Sequence, residues 1–488
     1  MNRLRFTRYL LSLTALLAVL WCDVGSVHSS ARFGWETPQY IPGLVDTGRD
    51  PNFVVDPAGK LHVFHSQWVG DQVVIVYSYW TVGVGWLAPV DIIVADVGQA
   101  RITGAFVDDN GMMNVIFWGG NDLQADIYFT RAPLSDVVRS TSWSEPRLIG
   151  PDAIAPTTAS IASDQHGYLV VVYAGNRDDG NGLFGVVSTD YGATWTAPSP
   201  VFSTASNALW PSPLDLMVAQ DGSVHAVWAL ADTTGNGLRI QYASLAGGEN
   251  QWSSPIILAE AINYEADTPG IIEYGGNLMV IFHNDFPTTR HMTMSVDNGE
   301  TWSAPVRLFE QVGSNGPASL LVDGGNTLHL FFGNRIDASL THGVWHSVWQ
   351  GSGWSAPSAV VSGPQVLMGA NGEEGFDPAE IQAVICQGNI LFVAWRHDPV
   401  AGPTHIWYSY QYLDTPALPS LAVRIPTTAT AVMPENEALA ADMAESQEEI
   451  DRDMGEVDSL STAELLVYSL VPALLLIAVL LLWRQNRR

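Results

Sequence analysis

Apolar positions along this chain fall in short runs, not in helical stripes. The runs are about five residues long and are bounded by Gly, Asn, Asp and Pro clusters, the pattern of β-strands joined by tight turns. The strongest are KLHVFHSQW after Asp56, GYLVVVYAG and NILFVAWRH. Each follows an Asp/Gly-rich turn, with turn glycines at Gly59, Gly111, Gly167, Gly222, Gly276, Gly325 and Gly388. Each precedes a strand ending in Ser or Thr, at Ser78, Thr130, Ser188, Ser244, Ser295, Ser347 and Ser409. A Trp-x-x-Pro element then opens one more short strand. It occurs seven times, at Trp35, Trp86, Trp143, Trp195, Trp252, Trp302 and Trp354, spaced 50 to 57 residues apart. A fixed period of this size marks a repeat architecture.

Four short strands per period predict an all-β fold, a β-propeller of four-stranded blades. Seven blades are predicted over residues 32–413, with six as the competing count. The seventh glycine turn and its serine strand have no downstream Trp-x-x-Pro, whereas Gly34-Trp35-Glu36-Thr37-Pro38 stands unpaired at the start. The N-terminal strand is therefore expected to complete the last blade and close the ring, leaving no open sheet edge.

The ends differ from the repeats. Residues 1–30, with Arg3, Arg5 and Arg8 ahead of YLLSLTALLAVLWC, read as a secretory signal peptide. Residues 414–464 form a Pro/Thr stretch and then an acidic one, a stalk. Residues 465–483 carry no charge and as a helix would reach about 29 Å, enough to span a bilayer. The basic tail 484–488 would then lie in the cytoplasm. The expectation is a single-pass protein of the cell membrane with its repeats outside the cell and its C-terminus inside.

Composition narrows the chemistry. A formal charge of −29 disfavours nucleic acid, which needs basic side chains against its phosphates. Lys60 is the only lysine, which disfavours Schiff-base chemistry. No His/Cys/Asp constellation has metal-ligand spacing, and no cofactor is expected. His62, His225 and His329 recur at one place in the second strand of their repeats, which favours a repeated packing role.

Two repeats carry S-x-D-x-G-x-T-W: Ser188, Asp190, Gly192 and Trp195 in STDYGATW, and Ser295, Asp297, Gly299 and Trp302 in SVDNGETW. The Ser and Asp side chains can bond turn backbone, the Gly accepts a positive φ, and the Trp packs between strands. These residues resemble the Asp-box (BNR) repeat of sialidases (neuraminidases) and related β-propellers. The resemblance implies a structural role for both turns and a ligand face at the opposite strand ends.

The resemblance also implies where a site would lie. Arg49-Asp50-Pro51 stands where sialidases have an Arg-Ile-Pro motif, and Asp71 falls near their acid/base Asp. Tyr264 and Glu265 are the nearest counterpart of their Tyr/Glu pair. Arg177, Arg335, Arg396, His397 and Asp398 lie in second-to-third-strand loops and could hold a ligand; a guanidinium fork suits a carboxylate. The central Ile of the motif is Asp here. The expected function is therefore recognition of a glycan or other polar ligand without turnover. An exo-sialidase or related glycoside hydrolase, and a scaffold for a surface protein, are the alternatives.

Overall fold

The computed structural model describes residues 34–417, apart from residues 46–50, 95–97, 122–123, 155–157, 178–179, 250, 264, 286–287, 310–314, 335–340, 365–375, 377 and 398–404. These residues build seven antiparallel four-stranded units. The first comprises Asn52–Val55, Leu61–Val69, Gln72–Thr81 and Val90–Val94, and the second Gln99–Val107, Met112–Asn121, Gln124–Pro133 and Arg147–Gly150. The third comprises Ala159–Ser163, Leu169–Arg177, Gly180–Ser188 and Ser199–Ser203, and the fourth Leu209–Val218, Val224–Asp232, Gly237–Leu245 and Ile256–Glu260. The fifth is Asp267–Tyr274, Asn277–Asn284, Thr289–Ser295 and Val306–Arg307; the sixth is Asn315–Val322, Leu328–Asn334, Thr341–Val348 and Ser358–Pro364. The seventh joins Pro378–Cys386, Ile390–His397 and His405–Tyr412 to the N-terminal strand Gln39–Val45, which pairs Tyr40 with Trp407. Ser409 Oγ also donates to the Glu36 carbonyl at 2.5 Å.

Successive side chains on a strand point to opposite faces, so each unit packs apolar residues against both neighbours. Val227, Ile240 and Leu258 of the fourth unit meet Ile271, Val280 and Phe282 of the fifth. On the other face of the fifth, Met279, Ile281 and Met292 meet Leu328, Leu330 and Phe332 of the sixth. Leu61, Val63 and Val74 of the first unit share a core with Phe392, Ala394 and Tyr408 of the seventh.

The expectation of a closed seven-bladed propeller carrying a transmembrane helix is corrected in two respects. First, the strands of the first two units run together into one nine-stranded sheet, so the sheets number six. A single parallel pair, Val73 with Gln99, makes the join. Second, among the described residues no helix is long and apolar enough to cross a membrane; the helical pieces are the three-residue turns Leu134–Asp136 and Ser140–Ser142. Crossing by a helix takes about 20 apolar residues. The single-pass cell-membrane location is withdrawn with that helix. What stands is an all-β fold of four-stranded sheets. The expected signal segment 1–30, the expected stalk 414–464 from residue 418 onward, the membrane segment 465–483 and the tail 484–488 lie outside the described residues.

Candidate functional site

The two S-x-D-x-G-x-T-W turns are near copies of each other. Asp190 Oδ1 accepts from the Thr194 N–H at 2.7 Å and from Ser188 Oγ at 2.9 Å; Asp297 Oδ1 accepts from the Thr301 N–H at 2.8 Å and from Ser295 Oγ at 2.8 Å. Gly192 and Gly299 take φ of 78° and 90°, and their carbonyls accept from Trp195 and Trp302 Nε1 at 3.1 and 3.2 Å. The two indoles then pack edge-on against Phe129 and Tyr242 of the preceding unit. Each Asp carboxylate finds its partners within its own turn, so both aspartates hold backbone.

The recurrent histidines also hold the sheets. His62 lies between Tyr77 Oη at 2.7 Å and Asp56 Oδ2 at 3.1 Å. His225 lies between Tyr242 Oη at 2.6 Å and Ser223 Oγ at 2.8 Å.

The opposite strand ends, where second strands turn into third strands, carry the expected ligand residues. Asp71 is an exposed residue of the two-residue turn between paired Val69 and Gln72. Arg177 lies 3.8 Å from Asp152, donates to Tyr173 Oη at 3.3 Å and sits over the Phe184 ring. Arg396 is ion-paired to Glu380. His397 is seen as backbone, paired with His405, while Arg49, Tyr264, Arg335 and Asp398 lie outside the described residues. The structure therefore does not gather the described ligand arginines; each is already engaged with an acid of its own neighbourhood.

One group does converge, at that end of the fifth unit. Asp267 is the register partner of His283, and His283 of Arg290, so the three form a row across three adjacent strands. Register neighbours project to one side of a sheet. The strand of Asp267 is bulged just beyond it, between Asp267 and Gly270, and Thr268 is held at φ 44°, an outlying conformation for a β-branched residue. Bulges and strained residues of this kind gather at functional sites. Glu265 lies two residues before Asp267 and bridges to Gly237 of the fourth unit.

The electrostatics of this row are unusual. Arg290 is 1% exposed. Its Nη2 donates to the Gly316 carbonyl at 3.3 Å and its guanidinium lies 5.1 Å from the Phe332 ring centroid, both in the sixth unit. Its Nε and Nη1 have no hydrogen-bond partner, and among the described residues no carboxylate pairs with it. Burial pulls it down to about 9. Burial, then the Arg290 charge, pulls His283 well below the usual histidine range, so this imidazole is neutral. Burial pushes Asp267 up to about 6, against the Thr268 N–H that favours its charge and with the Glu265 charge adding to the rise. Burial raises Glu265 as well. The row thus presents one unpaired cation, one neutral ring and one carboxyl that holds its proton up to about pH 6.

Sequence reading named Glu265 but missed Arg290. A signal was available: Arg290 shares a period-2 face with Met292 and Met294, and those methionines pack into the seam with the sixth unit. A charge placed on an apolar face calls for a reason.

No protein-family profile matches this chain, and no curated protein matches it. Solved structures do. The chain is similar to an ulvan lyase, a polysaccharide lyase bound to -[GlcA(1-4)Rha3S]-, with a TM-score of 0.50 and 12% identity over 79% of this chain and 95% of that one. It is similar to the NanB sialidase of Streptococcus pneumoniae, at a TM-score of 0.42 and 12% identity over 81% and 73% of the two chains. It is also similar to the intramolecular trans-sialidase of Ruminococcus gnavus, at 0.42 and 13% over 76% and 96%. At 12% identity the likeness to the lyase is one of fold alone.

Proposed function

We propose that this protein recognises an anionic glycan at the row Asp267–His283–Arg290, with Arg290 taking a carboxylate or sulfate of the sugar. The observation that carries the reading is the buried guanidinium with two unpartnered nitrogens. A buried charge without a counterion is costly to a fold, and an oxyanion bound there supplies both the charge and the missing acceptors. Phe332 beneath the guanidinium keeps its plane fixed. The fold likeness to a lyase bound to GlcA and Rha3S units makes acidic sugars the first class to test.

A second reading, hydrolysis of a glycosidic bond, is favoured by one observation. Asp267 near 6 beside Glu265 is a carboxyl suited to deliver a proton at mildly acidic pH. The exo-sialidase form of that reading draws no support from Arg177 and Arg396, which are engaged with Asp152 and Glu380.

The test is calorimetry of the full chain with glucuronate-bearing, sulfated and neutral oligosaccharides, followed by a reducing-end assay on any that bind. Acidic sugars should bind and neutral ones should not. Equal binding of neutral sugars, or none at all, overturns the proposal; new reducing ends move it from binding to hydrolysis.

A further inference from the structure

Two arginines of the second unit reach across to the S-x-D-x-G-x-T-W turn of the third. Arg131 Nη1 donates to the Tyr191 carbonyl at 2.8 Å, and Arg147 Nη1 donates to the Ala193 carbonyl. The two guanidiniums therefore bond on either side of Gly192. The turn is closed by its own bonds, Gly192 N–H to Ser188 Oγ at 2.9 Å and Ala193 N–H to the Asp190 carbonyl at 3.1 Å. Its second copy meets the unit before it through an acid instead, with Asn298 Nδ2 donating to Asp221 Oδ2 at 2.8 Å. The motif itself does not call for two cations.

The two arginines line a slot. Together with Glu145, Pro146 and Gly192 they border a cavity of about 490 Å³. A second, of about 440 Å³, meets it at Arg147 and is bordered by Leu148 and Ile149 from one unit and Trp195 and Pro198 from the other. Hollows of roughly 300–1,000 Å³ are those that take ligands. One wall is the strand Arg147–Gly150, which ends its sheet, so among the described residues one edge of its backbone has no strand beside it. Leu148 on that strand is exposed. From Pro146 to Pro151 this wall covers about 20 Å at the rise of a strand.

Charge decides what fits there. The sequence has a formal charge of −29, yet neither arginine is ion-paired among the described residues. Glu145 is the one described carboxylate bordering either cavity. An arginine on an edge strand can serve simply to keep other strands away. Arg131 lies on the inner strand Gln124–Pro133 and has no such use. A guanidinium has five N–H donors; with one spent on a carbonyl, a fork suited to a carboxylate is left. An acidic sugar offers the charge alone, whereas an extended peptide offers the charge and also pairs with an open strand edge.

We propose that this slot docks an extended acidic segment of a partner protein. The segment's backbone pairs with the outer edge of Arg147–Gly150, its carboxylates take Arg131 and Arg147, and Glu145 opposes them and holds the affinity down. No residue of the slot belongs to the row at Arg290, so the two sites are independent.

The experiment is fluorescence anisotropy of the full chain with a labelled six-residue peptide alternating Glu and Val. It should bind saturably, and the counterpart alternating Lys and Val should not. Methylating alternate nitrogens of the peptide removes its edge bonds but keeps its charge, and should weaken the Kd about tenfold. Arg131→Gln and Arg147→Gln should each weaken it at least about fivefold, and Glu145→Gln should tighten it by roughly threefold. Arginines that only clamp the two units together would leave the peptide unbound or its affinity unmoved. If a variant at either arginine does not fold, the methylated peptide and Glu145→Gln decide. No saturable binding up to about 1 mM, equal binding of the Lys-Val peptide, or full affinity in both arginine variants overturns the proposal. A sulfated disaccharide that displaces the peptide at lower concentration than the unlabelled peptide does makes the slot a sugar site and overturns it as well. Every one of these outcomes leaves the reading of Arg290 to its own calorimetry.

Discussion

His329 Nδ1 and His346 Nε2 lie 2.9 Å apart in a buried, stacked pair, ring centroids 5.2 Å apart. One nitrogen must donate and the other accept, so the contact needs at least one neutral ring and is lost when both are protonated. His346 is further enclosed by Phe331 and by Trp35 of the N-terminal segment.

Burial, with His329 adding, pulls His346 down to about 3, and burial pulls His225 and His65 to about 4. All three start from an ordinary value of 6.5. A histidine whose folded value is depressed contributes stability that is present above its unfolded value and is lost as pH falls toward the folded one. The melting temperature should therefore decline steadily from pH 6.5 to pH 4. That window lies above the range in which lowered carboxylates such as Asp56 and Asp190 take up protons. Circular dichroism melts across pH 7.5 to 4 check this, and His346→Phe should flatten part of the slope. A melting temperature level down to pH 4.5 would refute the assignment.

Gly299 and Gly351 separate backbone strain from overlap. Both have left-handed φ, 90° and 88°. A methyl added at Gly299 runs into the Tyr242 hydroxyl, whereas one at Gly351 meets nothing within 4 Å. Gly351→Ala should cost about 1 kcal/mol, the left-handed penalty alone. Gly299→Ala should cost about 1–3 kcal/mol more, as overpacking does. Paired urea titrations read the difference, and equal losses would show that the turn relaxes around the methyl.

The parts legible in the sequence are those whose bonds are local. Asp190 and Asp297 find all their partners within a turn of eight residues, so the motif contains its own explanation. Trp35 was legible because it completes a repeat, and its neighbour Glu36 indeed meets Ser409. The join of the first two units was not, since it rests on one pair, Val73 with Gln99. Nor were the roles of Arg177 and Arg396, since Asp152 and Glu380 reach them only once strands are paired. Arg290 is the extreme case: its isolation depends on Gly316 and Phe332 of the next unit, which no reading of its own strand supplies.

Cys386 offers a probe of opening. It is fully buried, and burial pushes its thiol up to about 12. The thiolate is the reactive form, so with Cys22, the other cysteine of the sequence, replaced by serine, the native protein should resist a disulfide reagent at pH 8. Labelling should then follow unfolding, rising through the urea transition with the same midpoint as the circular dichroism. Rapid labelling without denaturant would place this thiol in a segment that opens locally.

Arg290 allows stability and recognition to be pulled apart. Replacing an unpaired buried charge with an apolar side chain of similar length removes a desolvation cost; even whole buried ion pairs can be exchanged for apolar side chains with a neutral or stabilising outcome of about 1–4 kcal/mol. Arg290→Met should keep the stack on Phe332 and give up one long bond to the Gly316 carbonyl, at 3.3 Å. Its melting temperature should therefore equal or exceed that of the wild type. Binding of an acidic oligosaccharide should weaken by at least about tenfold, since a charge-assisted fork is lost. Arg290→Lys should fall between the two, keeping a point charge without the planar fork. A residue kept for function against stability behaves in this way. If the Met variant instead melts several degrees lower and binds as before, Arg290 is a clamp between the fifth and sixth units, and its two open nitrogens serve no ligand.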